Sequence, residues 1–139
     1  HPYYMERIAM KRKGFSLMEL LIVIAIIGIL ISLGVVSYSS AQKKGRDSKR
    51  RADLKAIQNA WEQYYADNSG SYPASCSVST VYLPAGMPTD PKSGAAYASS
   101  CSASQYCFCA TLEAVGAGNA SDTSCTFASG NYFCAKSLQ

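Results

Sequence analysis

Residues 14–38 read GFSLMELLIVIAIIGILISLGVVSY, and the rest of the chain is best understood outward from them. The run from Leu17 to Val36 is apolar and about 20 residues long, which is the length that one membrane-spanning helix needs. Its single charge is Glu19. Because a carboxylate in hydrocarbon costs a few kcal/mol or more, Glu19 needs a partner or a functional reason.

A basic patch and a glycine precede this run. Lys11, Arg12 and Lys13 are followed by Gly14, then by the aromatic Phe15, and Glu19 comes five residues after the glycine. This arrangement resembles the N-terminus of type IV pilins and of the related type II secretion pseudopilins. The resemblance is strong over residues 11–38, moderate over 54–73, and loose over 90–97 and the predicted strands.

The resemblance implies a leader, residues 1–14, that a prepilin peptidase removes between Gly14 and Phe15 on the cytoplasmic side. The same peptidase usually N-methylates the new terminus, Phe15. The basic residues before the span also follow the positive-inside rule, which puts the N-terminus in the cytoplasm and the distal part outside. The start is open among His1, Met5 and Met10. The competing interpretation, a secretory signal peptide, is disfavoured because the apolar run is too long and lacks an Ala-x-Ala site.

Beyond the span the pattern stays helical. No proline occurs between Phe15 and Asn68, and Leu54, Ile57 and Trp61 recur on one helical face, with Tyr64 and Tyr65 continuing it. The opposite face carries Asp53, Lys55, Asn59, Glu62 and Gln63. We therefore predict one helix from Phe15 to Asp67, with residues 15–37 as its transmembrane or filament-core half and 38–68 as its amphipathic half. The Asp67-Asn68-Ser69-Gly70 run is a stop signal.

The main basic cluster lies in the amphipathic half. Its seven members are Lys43, Lys44, Arg46, Lys49, Arg50, Arg51 and Lys55. The favoured interpretation is a solvated collar outside the membrane, or a partner for acids on neighbouring subunits. DNA binding is the weaker alternative, since a basic run alone is poor evidence for it.

All six cysteines lie in the distal part, at Cys76, Cys101, Cys107, Cys109, Cys125 and Cys134. An even number in one small exported domain predicts disulfides, and a metal site is disfavoured because the sole histidine is His1. Cys107 and Cys109 point to the same side of a predicted strand, so they need separate partners. Cys76–Cys101 is our first pairing; the others stay open.

Two β-prone segments, 106–113 and 131–136, flank a turn-rich loop over 115–124, and 78–83 is a short strand or turn. The expected fold class is α+β and pilin-like. The long helix packs its C-terminal half, through Trp61 and Tyr64, on a small antiparallel sheet of three or four strands within a disulfide-rich head, residues 69–139.

The major pseudopilins carry a calcium loop, but the corresponding loop here offers only Asn119, Ser121 and Asp122. Calcium takes six to eight oxygen ligands, so neither a metal nor a cofactor is predicted. The sequence also presents no catalytic constellation: abundant serines have no neighbouring base. We expect a protein that is not an enzyme.

Glu19 is the residue on which the assembly hypothesis rests. The incoming Phe15 amine of one subunit is expected against Glu19 of its predecessor, which would set axial register. The alternative is that Glu19 is merely protonated and tolerated near the cytoplasmic interface.

Three functions follow. The first is a subunit of an extracellular type IV pilus, with like subunits and minor pilins as partners and the inner membrane as its site before assembly. The second is a periplasmic pseudopilus subunit of type II secretion. The third is a membrane-anchored adhesin or DNA-binding minor pilin. The cysteine-rich head, with few calcium ligands, favours the pilus.

Overall fold

The structure is a computed structural model that describes residues 2–3 and 10–139. Met5 and half of the predicted leader, residues 1 and 4–9, lie outside the described residues. Helix α1 spans Leu17–Asp67, close to the predicted Phe15–Asp67. Five strands follow: β1 Ala98–Cys101, β2 Tyr106–Thr111, β3 Gly118–Ala120, β4 Phe127–Gly130 and β5 Tyr132–Lys136.

The chain divides into two compact units, His1–Tyr38 and Ser39–Gln139. In the first, the apolar side chains of α1 are exposed along its length, from Leu17 to Val36. Among the described residues, α1 is the one helix that is long and apolar enough to cross a membrane. Since exposed apolar surface on this scale is unfavourable in water, this segment requires lipid or other helices around it.

The second unit contains one antiparallel sheet with strand order β1-β2-β5-β3-β4. The longest pairing joins β2 to β5, with Cys109 opposite Cys134. The two segments predicted as strands are indeed β2 and β5. The prediction of three or four strands was too low, because β3 forms inside the predicted loop 115–124 and β4 follows it. Glycine, alanine and asparagine have weak strand preference, so only pairing with β5 and β4 makes β3 a strand. Residues 78–83 form a turn.

The core lies between α1 and the sheet. Leu54, Ile57 and Trp61 are fully buried on the face that the sequence pattern indicated, and Trp61 packs edge-on against Phe108 with ring centroids 4.8 Å apart. Tyr64 departs from expectation, since it lies outside the buried core and its ring packs against that of Tyr82 in the following loop, with ring centroids 5.5 Å apart. Burial of large aromatic groups on both sides supplies most of the stabilisation of this contact.

The helix ends where the stop signal predicted. Ser69 and Gly70 both have positive φ, 57° and 78°, and the Gly70 amide donates to the Tyr65 carbonyl at 3.1 Å. This left-handed turn satisfies a carbonyl that the helix would otherwise leave unpaired and redirects the chain toward the head.

Candidate functional site

The first candidate site is the start of α1, where Ser16 and Glu19 bond to each other. The Glu19 amide donates to Ser16 Oγ at 3.2 Å, and the Ser16 amide donates to Glu19 Oε2 at 3.4 Å. This reciprocal pair is a capping box, which satisfies two of the free amides at a helix N-terminus. It explains why the helix begins at Leu17 and not at Phe15.

Sequence reasoning missed the capping role of Glu19, although the Ser-x-x-Glu spacing predicts a capping box. The carboxylate also lies at the positive end of the helix macrodipole, which favours a negative charge there. Glu19 therefore has a structural partner in the single chain, Ser16. The side chain of Phe15, just ahead of the capping box, is 90 % exposed.

The second candidate site is a buried charge cluster around Arg50, whose side chain is 3 % exposed. Its guanidinium donates to Asp90 through Nε at 2.7 Å and Nη2 at 3.1 Å, and Nη1 donates to Asp47 and Glu113, each at 2.9 Å. Such a forked set of bonds uses the planar geometry that arginine has and lysine lacks.

Further bonds tie the loop after β2 to this cluster. Arg46 donates to Glu113 through Nε at 2.6 Å and Nη2 at 2.8 Å. The Asp47 carboxylate accepts the backbone amides of Glu113 and Ala114 at 2.8 and 3.0 Å. The helix is thus fastened to two separate loops, one carrying Asp90 and the other carrying Glu113.

The charges in this cluster shift each other's titration. Hydrogen bonding to Arg50 holds the pKa of the Asp90 carboxyl well below its ordinary value. Bonds from Arg46 and then Arg50 do the same to the pKa of Glu113. The pKa of the Arg50 guanidinium is raised in turn, chiefly by Asp90. The cluster is therefore ionised throughout the neutral range.

For two members of the basic cluster, Arg46 and Arg50, these contacts correct the interpretation as a solvated collar. Arg46 and Arg50 pair with acids of their own chain, Lys49 pairs with Asp53 at 3.1 Å, and Arg51 donates to the Ala117 carbonyl at 2.9 Å. Of the seven members of this cluster, all of them described, Lys43, Lys44 and Lys55 stay exposed without an ion pair. The DNA-binding interpretation therefore loses the charges of Arg46 and Arg50, which are neutralised within the chain.

The polar face of the helix is also less solvated than the sequence suggested. Asp53 accepts the Tyr97 hydroxyl at 2.7 Å. Glu62 accepts the hydroxyls of Tyr72 and Tyr106 at 2.9 and 2.8 Å. Because each buried hydroxyl needs a partner, these acids let the tyrosine rings fill the core.

Three disulfides lie in the second unit: Cys76–Cys101, Cys107–Cys125 and Cys109–Cys134. The first is the pairing that the sequence analysis preferred, and Cys107 and Cys109 have separate partners as expected. The described residues include no free cysteine. Each such bridge in a small domain contributes roughly 2–5 kcal/mol.

In the loop compared above with a calcium loop, side-chain oxygens accept hydrogen bonds from backbone amides of the same chain. Asn119 Oδ1 accepts the Cys134 amide at 2.8 Å and its Nδ2 donates to the Cys134 carbonyl at 3.1 Å, which imitates a strand partner. Asp122 Oδ1 accepts the amides of Ser124 and Thr126 at 2.9 and 3.2 Å. These bonds shape a tight turn.

The predicted site residues therefore fall into two groups. Gly14, Phe15 and Glu19 are adjacent in the first unit, and the six cysteines lie in the second. Asp47 and Glu113 were not singled out from the sequence, and Asp90 was noted only as the start of the 90–97 segment that carries the loose resemblance. The Asp47-x-x-Arg50 spacing predicts one bond of the cluster, but nothing local indicates the loop partners.

Comparison with known proteins finds a family match in the N-terminal segment of the chain. Residues 9–35 match the family model described as the prokaryotic N-terminal methylation motif. The chain is 40 % identical over 58 residues to type II secretion system core protein G of Escherichia coli (strain K12), a match covering 42 % of this chain and 40 % of that protein.

Two further relatives match over a similar length. The chain is 33 % identical over 57 residues to type IV major pilin protein PilA of Myxococcus xanthus (strain DK1622), covering 41 % of this chain and 26 % of that protein. It is 37 % identical over 59 residues to type II secretion system core protein G of Aeromonas hydrophila, covering 42 % and 41 %. The chain thus spans less than half the length of the curated relatives it matches.

Proposed function

We propose that this chain, a member of the type IV pilin and type II secretion pseudopilin family, is a structural subunit of a type IV pilus-type filament. The observation that carries this is the exposed apolar half of α1 with Glu19 in its first turn. In the membrane, lipid covers this surface; in a filament, the same surface of neighbouring subunits covers it.

Processing precedes assembly in this proposal. The leader, residues 1–14, is cleaved by a prepilin peptidase between Gly14 and Phe15, and the new amino terminus is methylated. The match to the methylation motif supports this step. Before assembly the protein is a single-pass protein of the cytoplasmic membrane, with Lys11–Lys13 inside and the head outside.

Glu19 sets the register between subunits. Its carboxylate lies in the first turn of α1, beside the point where cleavage creates a positively charged amine. The Phe15 amine of an incoming subunit pairs with Glu19 of its predecessor in a dry environment, where the attraction is strong. Leucine, isoleucine and valine side chains supply the bulk of the packing energy.

The experiment is electron microscopy of surface filaments from cells producing the full chain, followed by mass spectrometry of the filament subunit. We expect a subunit that begins at an N-methylated Phe15. Glu19→Ala and Glu19→Gln should abolish or sharply reduce filaments while leaving export and the disulfides intact. Ser16→Ala is the matched control, because it removes the capping box but keeps the carboxylate.

Each result decides a specific point. Normal filament yield from Glu19→Ala would show that amine pairing does not set the register. Loss of filaments in Ser16→Ala equal to that in Glu19→Ala would instead assign the role of Glu19 to helix capping. A subunit that retains residues before Phe15 within filaments would refute the processing step.

A periplasmic pseudopilus of type II secretion is the second candidate. The observation that favours it is the higher identity to core protein G, 40 %, than to PilA, 33 %. Deletion of the gene separates the two. Loss of surface filaments with normal secretion supports the pilus, whereas exported proteins retained in the periplasm support the pseudopilus. Minor pilins as partners and an adhesin or DNA-binding role stay less supported.

A further inference from the structure

Two of the three disulfides touch each other. Cys107 Sγ lies 3.6 Å from Cys109 Sγ, and Cys109 Sγ lies 4.0 Å from Cys125 Sγ. These are contacts between sulfurs of different bridges, since Cys107 is bonded to Cys125 and Cys109 to Cys134. A thiolate released from one bridge is therefore already within reach of the other.

The two bridges differ in access. Cys109 and Cys134 are 2 % and 3 % exposed, and Cys107 and Cys125 are only partly buried beside them. Cys107 and Cys125 line a polar cleft of about 390 Å³, together with Lys136. Lys136 is the residue directly opposite Cys107 in the β2–β5 pairing. A cation near a sulfur favours the thiolate form, which is both the nucleophile and the leaving group in exchange.

The backbone at Cys125 adds a reason for this bridge to open. Its φ is 59°, in the left-handed region that residues other than glycine seldom occupy. The turn is held by Asp122, whose Oδ1 accepts the Ser124 and Thr126 amides, and by the Cys107–Cys125 bridge itself. Strained backbone of this kind is found preferentially at functional positions.

From these features we propose that Cys107–Cys125, the outer bridge, is the site where external dithiols attack, and that it passes reduction on to Cys109–Cys134, the inner bridge. The partner is a dithiol, either a small molecule or a dithiol oxidoreductase of the compartment outside the cytoplasmic membrane. The proposal does not depend on filament assembly.

The chemistry is a sequence of exchanges. A thiolate of the dithiol attacks Cys107 Sγ, forms a mixed disulfide and releases the Cys125 thiolate. The Cys125 thiolate then attacks Cys109 Sγ, forming Cys109–Cys125 and releasing the Cys134 thiolate. The second thiol of the dithiol attacks its own mixed-disulfide sulfur and frees the Cys107 thiolate. The dithiol is oxidised to its cyclic or intramolecular disulfide, and the chain gains two thiols, at Cys107 and Cys134.

Cys125 is the better internal attacker. A bond between Cys107 and Cys109 would join alternate residues of one extended strand, about 6.7 Å apart at Cα, at the upper limit for a disulfide. The turn that carries Cys125 has no such restriction once its own bridge is open. Transfer to Cys109–Cys125 also removes the cross-link between β2 and β5.

The test uses the oxidised, exported full chain in detergent and limiting dithiothreitol at neutral pH. Samples are quenched with N-ethylmaleimide and the labelled peptides are mapped by mass spectrometry. We expect an early species labelled at Cys107 and Cys134 with a Cys109–Cys125 bond. Early species labelled only at Cys107 and Cys125, with Cys109–Cys134 intact throughout, would overturn the relay.

A variant pair provides a second measurement. Removing the outer bridge with Cys107→Ser and Cys125→Ser should slow reduction of the inner bridge about tenfold, because direct access to it is poor. The matched control, Cys76→Ser with Cys101→Ser, removes the third bridge and should leave that rate unchanged. Near-ultraviolet circular dichroism checks that both variants are folded. An equal or faster rate in the folded first variant would contradict the proposal.

Discussion

Arg50 and Asp90 form a two-bonded ion pair across 40 residues of sequence, with Nε donating to Oδ2 at 2.7 Å and Nη2 donating to Oδ1 at 3.1 Å. The pair fastens the helix to the loop before the sheet. Because Arg50 is almost fully buried and bonds to three acids, its replacement should weaken the attachment of α1 to the loops that carry Asp90 and Glu113.

We predict that Arg50→Met destabilises the mature chain by about 3–5 kcal/mol, because it leaves buried carboxylates without their cation. Arg50→Lys should recover only part of this, since lysine cannot make the forked bonds. Urea unfolding followed by tryptophan fluorescence of Trp61 measures both. Lys44→Met is the control, as Lys44 is exposed, and it should change the free energy of unfolding by less than about 0.5 kcal/mol. An Arg50→Met variant as stable as the parent would contradict the role of the cluster.

The lowered pKa values of Asp90 and Glu113 predict acid sensitivity. A carboxyl whose pKa is lower in the folded state stabilises it above the ordinary pKa, so this contribution is lost as pH falls below about 4. The melting temperature should therefore drop between about pH 4 and 2. Asp90→Asn should lower stability at neutral pH and flatten this dependence. A profile equally steep in Asp90→Asn would exclude Asp90 as a main contributor.

The contribution of Tyr72 to stability has the opposite dependence on pH. Burial, and then its hydrogen bond to Glu62, raise the pKa of Tyr72 to about 12. A group with a raised pKa stabilises the fold fully below its ordinary value, near 10, and this contribution disappears as pH rises toward 12.

Glu62→Gln removes the charge that disfavours the tyrosinate, so the Tyr72 pKa should fall in that variant. Ultraviolet absorbance of tyrosinate during an alkaline titration reports the change, with Tyr72→Phe identifying the signal. An identical titration in parent and Glu62→Gln would show that burial alone sets the pKa.

Glycine substitutions should act in opposite directions at two positions. A Cβ on Gly118 would collide with the backbone of Tyr132 where β3 meets β5, so Gly118→Ala is expected to cost roughly 1–3 kcal/mol. A Cβ on Gly45 meets nothing within 4 Å, and the residue lies inside α1. Gly45→Ala should therefore stabilise the chain by about 0.5–1 kcal/mol. Thermal unfolding of the two variants tests the pair, and a stable Gly118→Ala would show that β3 has room to shift.

The sequence by itself determined the features that depend on neighbours in the chain. The uninterrupted apolar run, the lack of proline and the spacing of Leu54, Ile57 and Trp61 specified α1 and its buried face. Alternating β-prone residues specified β2 and β5, and the period of two indicated that Cys107 and Cys109 do not readily form a bridge with each other. The capping box of Ser16 and Glu19 was equally readable, although its spacing was overlooked.

Only the tertiary structure decided the partners that lie far away in the chain. Arg50 reaches Asp90 and Glu113 over separations of 40 and 63 residues, and no local pattern indicates that these acids are its partners. The partners of Cys107 and Cys109 were fixed by where β5 and the turn at Cys125 come to lie beside β2. Strand β3 exists for the same reason: its residues have little preference for extended structure, so pairing with neighbouring strands supplies what local propensity lacks.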